Sequence, residues 1–179
     1  NESAIYVLYQ DGHIQKNGFA PSYGDLKSDD VADFELSLSG EGYYVLHKDG
    51  TVDSFGDATK RNVKLDSGAP YVEFQIDYMT DGFYFLRQDG AVRTVGNAVF
   101  RGESIREENA VDLELYLDGY YVLYEDGFIA TFGDAVNRGY SKTDKKAVDL
   151  EIQSAGYYVL YEDGTIDIFG DLPPLPAFA

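Results

Sequence analysis

One nine-residue segment recurs five times along this chain. Residues 119–127 and 156–164 both read GYYVLYEDG, residues 42–50 read GYYVLHKDG, and residues 82–90 read GFYFLRQDG. Residues 4–12 read AIYVLYQDG, with the leading glycine replaced. The closing glycines are Gly12, Gly50, Gly90, Gly127 and Gly164, spaced 38, 40, 37 and 37 residues apart. A fixed period of this length means a series of like supersecondary units, each burying its apolar faces against its neighbours.

Each unit reads as strands. Val111-Asp112-Leu113-Glu114-Leu115 alternates apolar and acidic residues, the period of a strand with two unlike faces. Tyr120 to Tyr124 is apolar and aromatic throughout, which suits a second strand covered on both sides. Asp126-Gly127 predicts a two-residue hairpin with positive φ at both residues, leading into a third strand from Phe128 to Phe132. The polar dozen after Gly133-Asp134 has room for a short, irregular fourth strand. Four antiparallel strands per unit make a propeller blade. The expected fold is therefore all-β: a single domain over 1–179, a five-bladed β-propeller of repeats of about 37–40 residues. The repeats fall at roughly 1–30, 31–69, 70–109, 110–146 and 147–179. A solenoid coil is usually shorter, and an open array of hairpins would leave strand edges bare. Two readings of closure stand. Five blades close as a monomeric ring, with the segment 176–179 as a stunted strand, or the chain is a module of a larger array.

The pattern G-Y-Y-V-L-x-x-D-G-x-I-x-x-F-G-D-A resembles repeats of bacterial secreted and surface propeller proteins. It is more distantly similar to the regulator-of-chromosome-condensation propellers, whose blades share the apolar strand, the D-G turn and the closing aromatic-Gly step. The resemblance implies a fold, and an extracellular or periplasmic location. It does not carry blade number or partner.

Charge narrows the partners. The chain holds 14 Lys+Arg against 32 Asp+Glu, a formal net charge of −18. Binding to nucleic acid rests on basic side chains neutralising phosphates, so that class is excluded. No apolar run approaches the roughly 18 residues of a membrane helix, which argues against direct membrane insertion. With no Cys, disulfides and thiolate metal sites are out.

The acids cluster by position. Asp33, Glu73, Asp112 and Asp149 align in the first strands, with Glu35, Glu114 and Glu151 two residues on and on the same face. No base lies in those strands, while Lys60, Arg61, Arg101 and Arg138 lie in the segments after the third strand. In a propeller the first strands line the central channel. The seven carboxylates then either meet water or hold a cation such as Ca²⁺, which takes about 6–8 oxygens. No cofactor is otherwise expected, and no D-x-D-x-D-G calcium loop is present.

The second strands carry Tyr6, Tyr44, Tyr84, Tyr121 and Tyr158 at one position, preceded by Ile5, Tyr43, Phe83, Tyr120 and Tyr157. These are read first as packing between blades, with sugar stacking as the alternative. The last position of the strand, Tyr9, His47, Arg87, Tyr124 and Tyr161, adjoins the D-G turn and is the expected surface site for a ligand. The turn aspartates and Asp57 are read as turn formers. Catalytic signatures are missing: His13 and His47 hold unrelated repeat positions, and no G-x-S-x-G, phosphate loop or H-E-x-x-H occurs. Near-identical units favour equal weak sites or a flat docking face. The sequence thus points to a non-catalytic binding or scaffold module for a protein or glycan. A multivalent lectin, or a propeller glycoside hydrolase using the inner carboxylates, are the alternatives.

Overall fold

The computed structural model describes residues 5–18, 21–24, 26, 28–61, 63 and 65–175. It is all-β, with fourteen strands in five antiparallel sheets, one sheet per repeat, a five-bladed propeller-like repeat fold. Blade 1 is the hairpin β1 (Ile5–Leu8) and β2 (Ile14–Asn17). Blade 2 is β3 (Val31–Leu36), β4 (Gly42–His47) and β5 (Val52–Gly56); blade 3 is β6 (Tyr71–Asp77), β7 (Gly82–Arg87) and β8 (Val92–Gly96). Blade 4 is β9 (Ala110–Tyr116), β10 (Gly119–Tyr124) and β11 (Ile129–Gly133), and blade 5 is β12 (Ala147–Gln153), β13 (Gly156–Tyr161) and β14 (Ile166–Gly170). Contacts gather into two compact units: Asn1–Arg87 with Arg93–Val99, and Gln88–Val92 with Phe100–Ala179.

Within each unit one packing rule repeats. Successive residues of a strand point to opposite faces, so a second strand offers two apolar faces. In the first unit, Tyr6 and Leu8 of blade 1 pack on Tyr43 and Val45 of blade 2. Tyr44 and Leu46 on the far side of blade 2 pack on Phe83 and Phe85 of blade 3. In the second unit, Tyr121 and Leu123 of blade 4 pack on Tyr157 and Val159 of blade 5. Strands β4, β7 and β10 are accordingly buried at every residue. Each such side chain removed from water contributes about 1.5–3 kcal/mol. The glycine that opens the motif is steric: a Cβ on Gly119 would lie 2.2 Å from the Phe132 carbonyl oxygen.

Three expectations change. The D-G hairpin is a three-residue loop. The Gly127 amide bonds the Tyr124 carbonyl and the Tyr124 amide bonds that of Phe128. Only the glycine has positive φ, 84° at Gly127, because the Asp126 carboxylate accepts the Phe128 amide at 3.0 Å and holds the aspartate in ordinary backbone space. The same amide bond two residues on forms at Asp11, Asp49, Asp89 and Asp163. Second, each first strand carries a bulge, with register shifting between Val31 and Asp33, Tyr71 and Glu73, Leu123 and Tyr124, and Ala147 and Asp149.

Third, no fourth strand forms among the described residues; the polar segments run outside the sheets. Tyrosine hydroxyls take over the work of a ladder. In each Tyr-Tyr pair the two rings point to opposite faces. The first staples the outer segment of the preceding blade: the Tyr120 hydroxyl accepts the Arg101 amide at 3.1 Å and donates to the Gly102 carbonyl at 2.6 Å. Tyr157 does the same at Arg138 and Gly139. The second staples its own outer segment: Tyr121 accepts the Val136 amide at 2.9 Å and donates to its carbonyl at 3.2 Å. The segment 176–179, expected as a stunted closing strand, lies outside the described residues.

Candidate functional site

The residues expected at the surface beside the D-G turn are mostly interior. Tyr9 alone is exposed, stacked on His13 at 5.9 Å between centroids. His47 is buried, with Nδ1 and Nε2 each 3.0 Å from a carboxylate, Asp30 and Asp53. Arg87 is buried and faces Asp66 at 3.5 Å. Tyr124 donates to the Ser104 carbonyl, and Tyr161 donates to Asp167 at 3.0 Å. These side chains tie the turn end of each blade together, which removes four of the five from the surface.

The first-strand acids also have a use that alternation alone hides. Asp33 accepts the Phe74 amide at 3.1 Å, and Asp112 accepts the Leu150 amide at 2.6 Å. Each therefore bonds the first strand of the next blade within its unit. Burial pushes the Asp33 carboxyl up to about 6. Burial and the Asp33 charge push Glu35 up to about 8. Burial, then the Glu114 charge, raises Asp112 well above the carboxylate range. Glu73 and Glu114 are half-buried, and Asp149 and Glu151 are exposed. Among the described residues, no three His, Asp or Glu side chains are grouped to hold a metal ion.

A different place breaks the repeat's own rule. Tyr6, Tyr84, Tyr121 and Tyr158 each donate to the carbonyl fifteen residues on, at Pro21, Val99, Val136 and Pro173. The counterpart in blade 2 is Tyr44, with Thr59 fifteen residues on. Among the described residues this bond is missing, and the Tyr44 ring instead packs edge to face on Phe83 beside Arg61. The other staple is missing as well. Arg61 stands where Arg101 and Arg138 stand, five residues after the third-strand glycine, but the ring that would hold it is Phe83, which has no hydroxyl. Segment 57–61 is thus released from both latches. A cleft of about 460 Å³ opens there, in the first unit.

The walls of the cleft are mixed. Tyr44 and Phe83 meet edge to face at 5.4 Å, and the Arg61 guanidinium lies 4.7 Å above Phe83. Arg61 pairs with Asp81 through Nη2. Its counterpart Arg101 reaches Asp118 through both Nη2 and Nε, whereas Arg61 Nε is buried without a partner among the described residues. Asp57 accepts Ser37 Oγ at 2.8 Å, and Ser39 Oγ on its other oxygen. Tyr78 donates to the Leu36 carbonyl at 2.8 Å and is 43% exposed at the rim, and Leu38 beside it is 77% exposed. The hydrogen bonds from Ser39 and Ser37 lower the Asp57 carboxyl, and that from Arg61 lowers Asp81. Burial, then the Glu35 charge, pushes Tyr78 up to about 12. At neutral pH the cleft therefore presents the Asp57 and Asp81 carboxylates, the Arg61 guanidinium and the neutral Tyr78 phenol. That set can hold a ligand by hydrogen bonds.

None of these residues stood out as a site in the sequence. Asp57 reads as a turn former, Arg61 as an outer base, and Tyr44 and Phe83 as packing. The available signal was GFYFL in place of GYYVL, a lost hydroxyl at one position. No family model and no curated protein matches the chain. Among solved structures it is similar to the crystal structure of the computationally designed Ika4 protein, at 13% identity and a TM-score of 0.58, covering 78% of this chain and 90% of that one. At that identity the likeness speaks for the fold alone.

Proposed function

We propose that the chain is a non-catalytic binding module that takes a protein or glycan at the cleft between blades 2 and 3. The observation that carries this is that, among the described residues, both tyrosine latches are lost around residues 57–61 while the other blades keep theirs. A repeat array gains nothing in stability by releasing one segment, so the release marks a place under a different demand. The resemblance to secreted bacterial propeller repeats supports a role outside the cytoplasm.

A glycan array followed by calorimetry tests this. The expected result is one ligand per chain, lost when Phe83→Tyr restores the missing hydroxyl. A stoichiometry above one would return the reading to a multivalent lectin with a site in several blades. Turnover of an arabinan- or fructan-like substrate would replace it with a hydrolase.

A further inference from the structure

Resting on that reading, we infer that the cleft of blades 2 and 3 is a site for one neutral saccharide unit. Its volume of about 460 Å³ lies in the range of small-ligand pockets, about 300–1,000 Å³.

The polar groups specify what enters. Arg61 Nε, like Arg106 Nε, is a buried donor with no acceptor among the described residues, a cost that a ligand oxygen would offset once the side chain turned it toward the cleft. The oxygen has to be neutral. Arg61 is already paired to Asp81, and Asp57 adds a second carboxylate, so an anionic ligand meets net repulsion. Among the described residues the Asp57 carboxylate accepts the Ser37 and Ser39 hydroxyls, and a carboxylate offers about four lone-pair sites. Its remaining capacity suits a ligand hydroxyl. The ligand must therefore both accept and donate through uncharged oxygens.

The apolar groups specify the rest. Tyr78 and Leu38 leave ring and methyl surface open at the rim, while the Phe83 ring is covered by the Arg61 guanidinium. A pyranose has an apolar C–H face and a rim of hydroxyls, which matches one aromatic surface beside converging hydrogen-bonding groups. Asp57 and Arg61 then bind hydroxyl and ring oxygens while Tyr78 covers the C–H face.

The experiment is a titration of the ¹⁵N-labelled chain with glucose, galactose, mannose, N-acetylglucosamine and their short oligomers, and with glucuronic acid as the anionic comparison. Amide shifts at residues 57–61 and 78–83 with at least one neutral sugar, saturating at one site, are expected. Asp57→Asn is expected to weaken binding at least tenfold. Asp134→Asn, at the same position of blade 4, should leave it unchanged. Circular dichroism confirms that both variants fold. Binding equally weakened by Asp134→Asn would mean repeated sites and overturn the inference. Stronger shifts with glucuronic acid would overturn the neutral ligand and leave the binding module standing. With no sugar response at all, peptides selected on the wild-type chain by display are screened against Phe83→Tyr. Peptides lost on that variant would overturn the saccharide and keep the binding module; peptides indifferent to it would overturn both.

Discussion

Glu35 makes stability depend on pH in an unusual direction. Its carboxyl is raised from 4.5 to about 8 by burial and by the Asp33 charge. Between those values the folded chain holds a proton that the unfolded chain has released, so stability falls as pH rises through the window. His47 acts in the same sense. Burial alone would lower its pKa, but the hydrogen bonds to Asp30 and Asp53 outweigh this and raise it above 6.5. Its contribution is complete below 6.5 and is lost as pH rises through the folded value. The melting temperature is therefore expected to fall from about pH 5 to about pH 8, and Glu35→Gln should flatten the slope, leaving the parts of His47 and of the raised Asp33 and Asp112 carboxyls, which act in the same direction. An unchanged slope in that variant would place the proton elsewhere. Leu117 gives a second test. It sits at φ 49° in the tight turn between β9 and β10 and is 81% exposed, so its side chain contributes little while its backbone is strained. Leu117→Gly is expected to stabilise by about 1 kcal/mol, read as a melting point about 2–4 °C higher. A lower melting point would mean that the exposed leucine makes contacts worth more than the strain.

The outer segments depend on single hydroxyls, and the blades differ in how many they have. In blade 4, Tyr121 serves both the amide and the carbonyl of Val136. Tyr121→Phe leaves both unserved and is expected to cost about 1–3 kcal/mol in chemical denaturation. Tyr44→Phe removes the same atom from a ring that holds no backbone group, and is expected to cost less than about 1 kcal/mol. Equal losses would show that the latch is not what separates blade 2 from the others. These strands were legible in the sequence to different degrees. The second strands were plain, since five apolar-aromatic runs with D-G stops admit one reading. The absent fourth strand was not, because a tyrosine between two apolar residues reads as packing whether or not its hydroxyl holds a distant carbonyl. The bulges at Ala32, Val72, Val111 and Val148 were hidden by an alternation that continues past them. The cleft was least legible. It exists where two hydroxyl bonds fail together, and pairing Phe83 with Arg61 requires knowing which ring reaches which segment.

The net charge of −18 acts on the molecule as a whole. Several of its bases sit in partly exposed pairs among the described residues, such as Arg61 with Asp81, Arg101 with Asp118, and Lys145 with Asp163. Such pairs are each worth about 0–1 kcal/mol and weaken in salt. The unpaired acids repel one another over longer distances, and that repulsion weakens in salt too. The two effects oppose each other, and the excess of 32 acids over 14 bases decides for repulsion. Raising ionic strength from about 0.01 M to about 0.15 M shortens the screening length from about 30 Å to about 8 Å. The melting temperature should therefore rise with NaCl, and a fall would mean that the pairs outweigh the repulsion. CaCl₂ at matched ionic strength separates screening from a specific ion. Asp33 and Asp112 already accept backbone amides of the next blade, and no three acids are grouped among the described residues. The rise with CaCl₂ should then match that with NaCl within a few degrees, and EDTA should change nothing. A much larger rise with Ca²⁺, reversed by EDTA, would restore the cation reading of the first-strand carboxylates, since an ion that binds only the folded chain raises its stability by mass action.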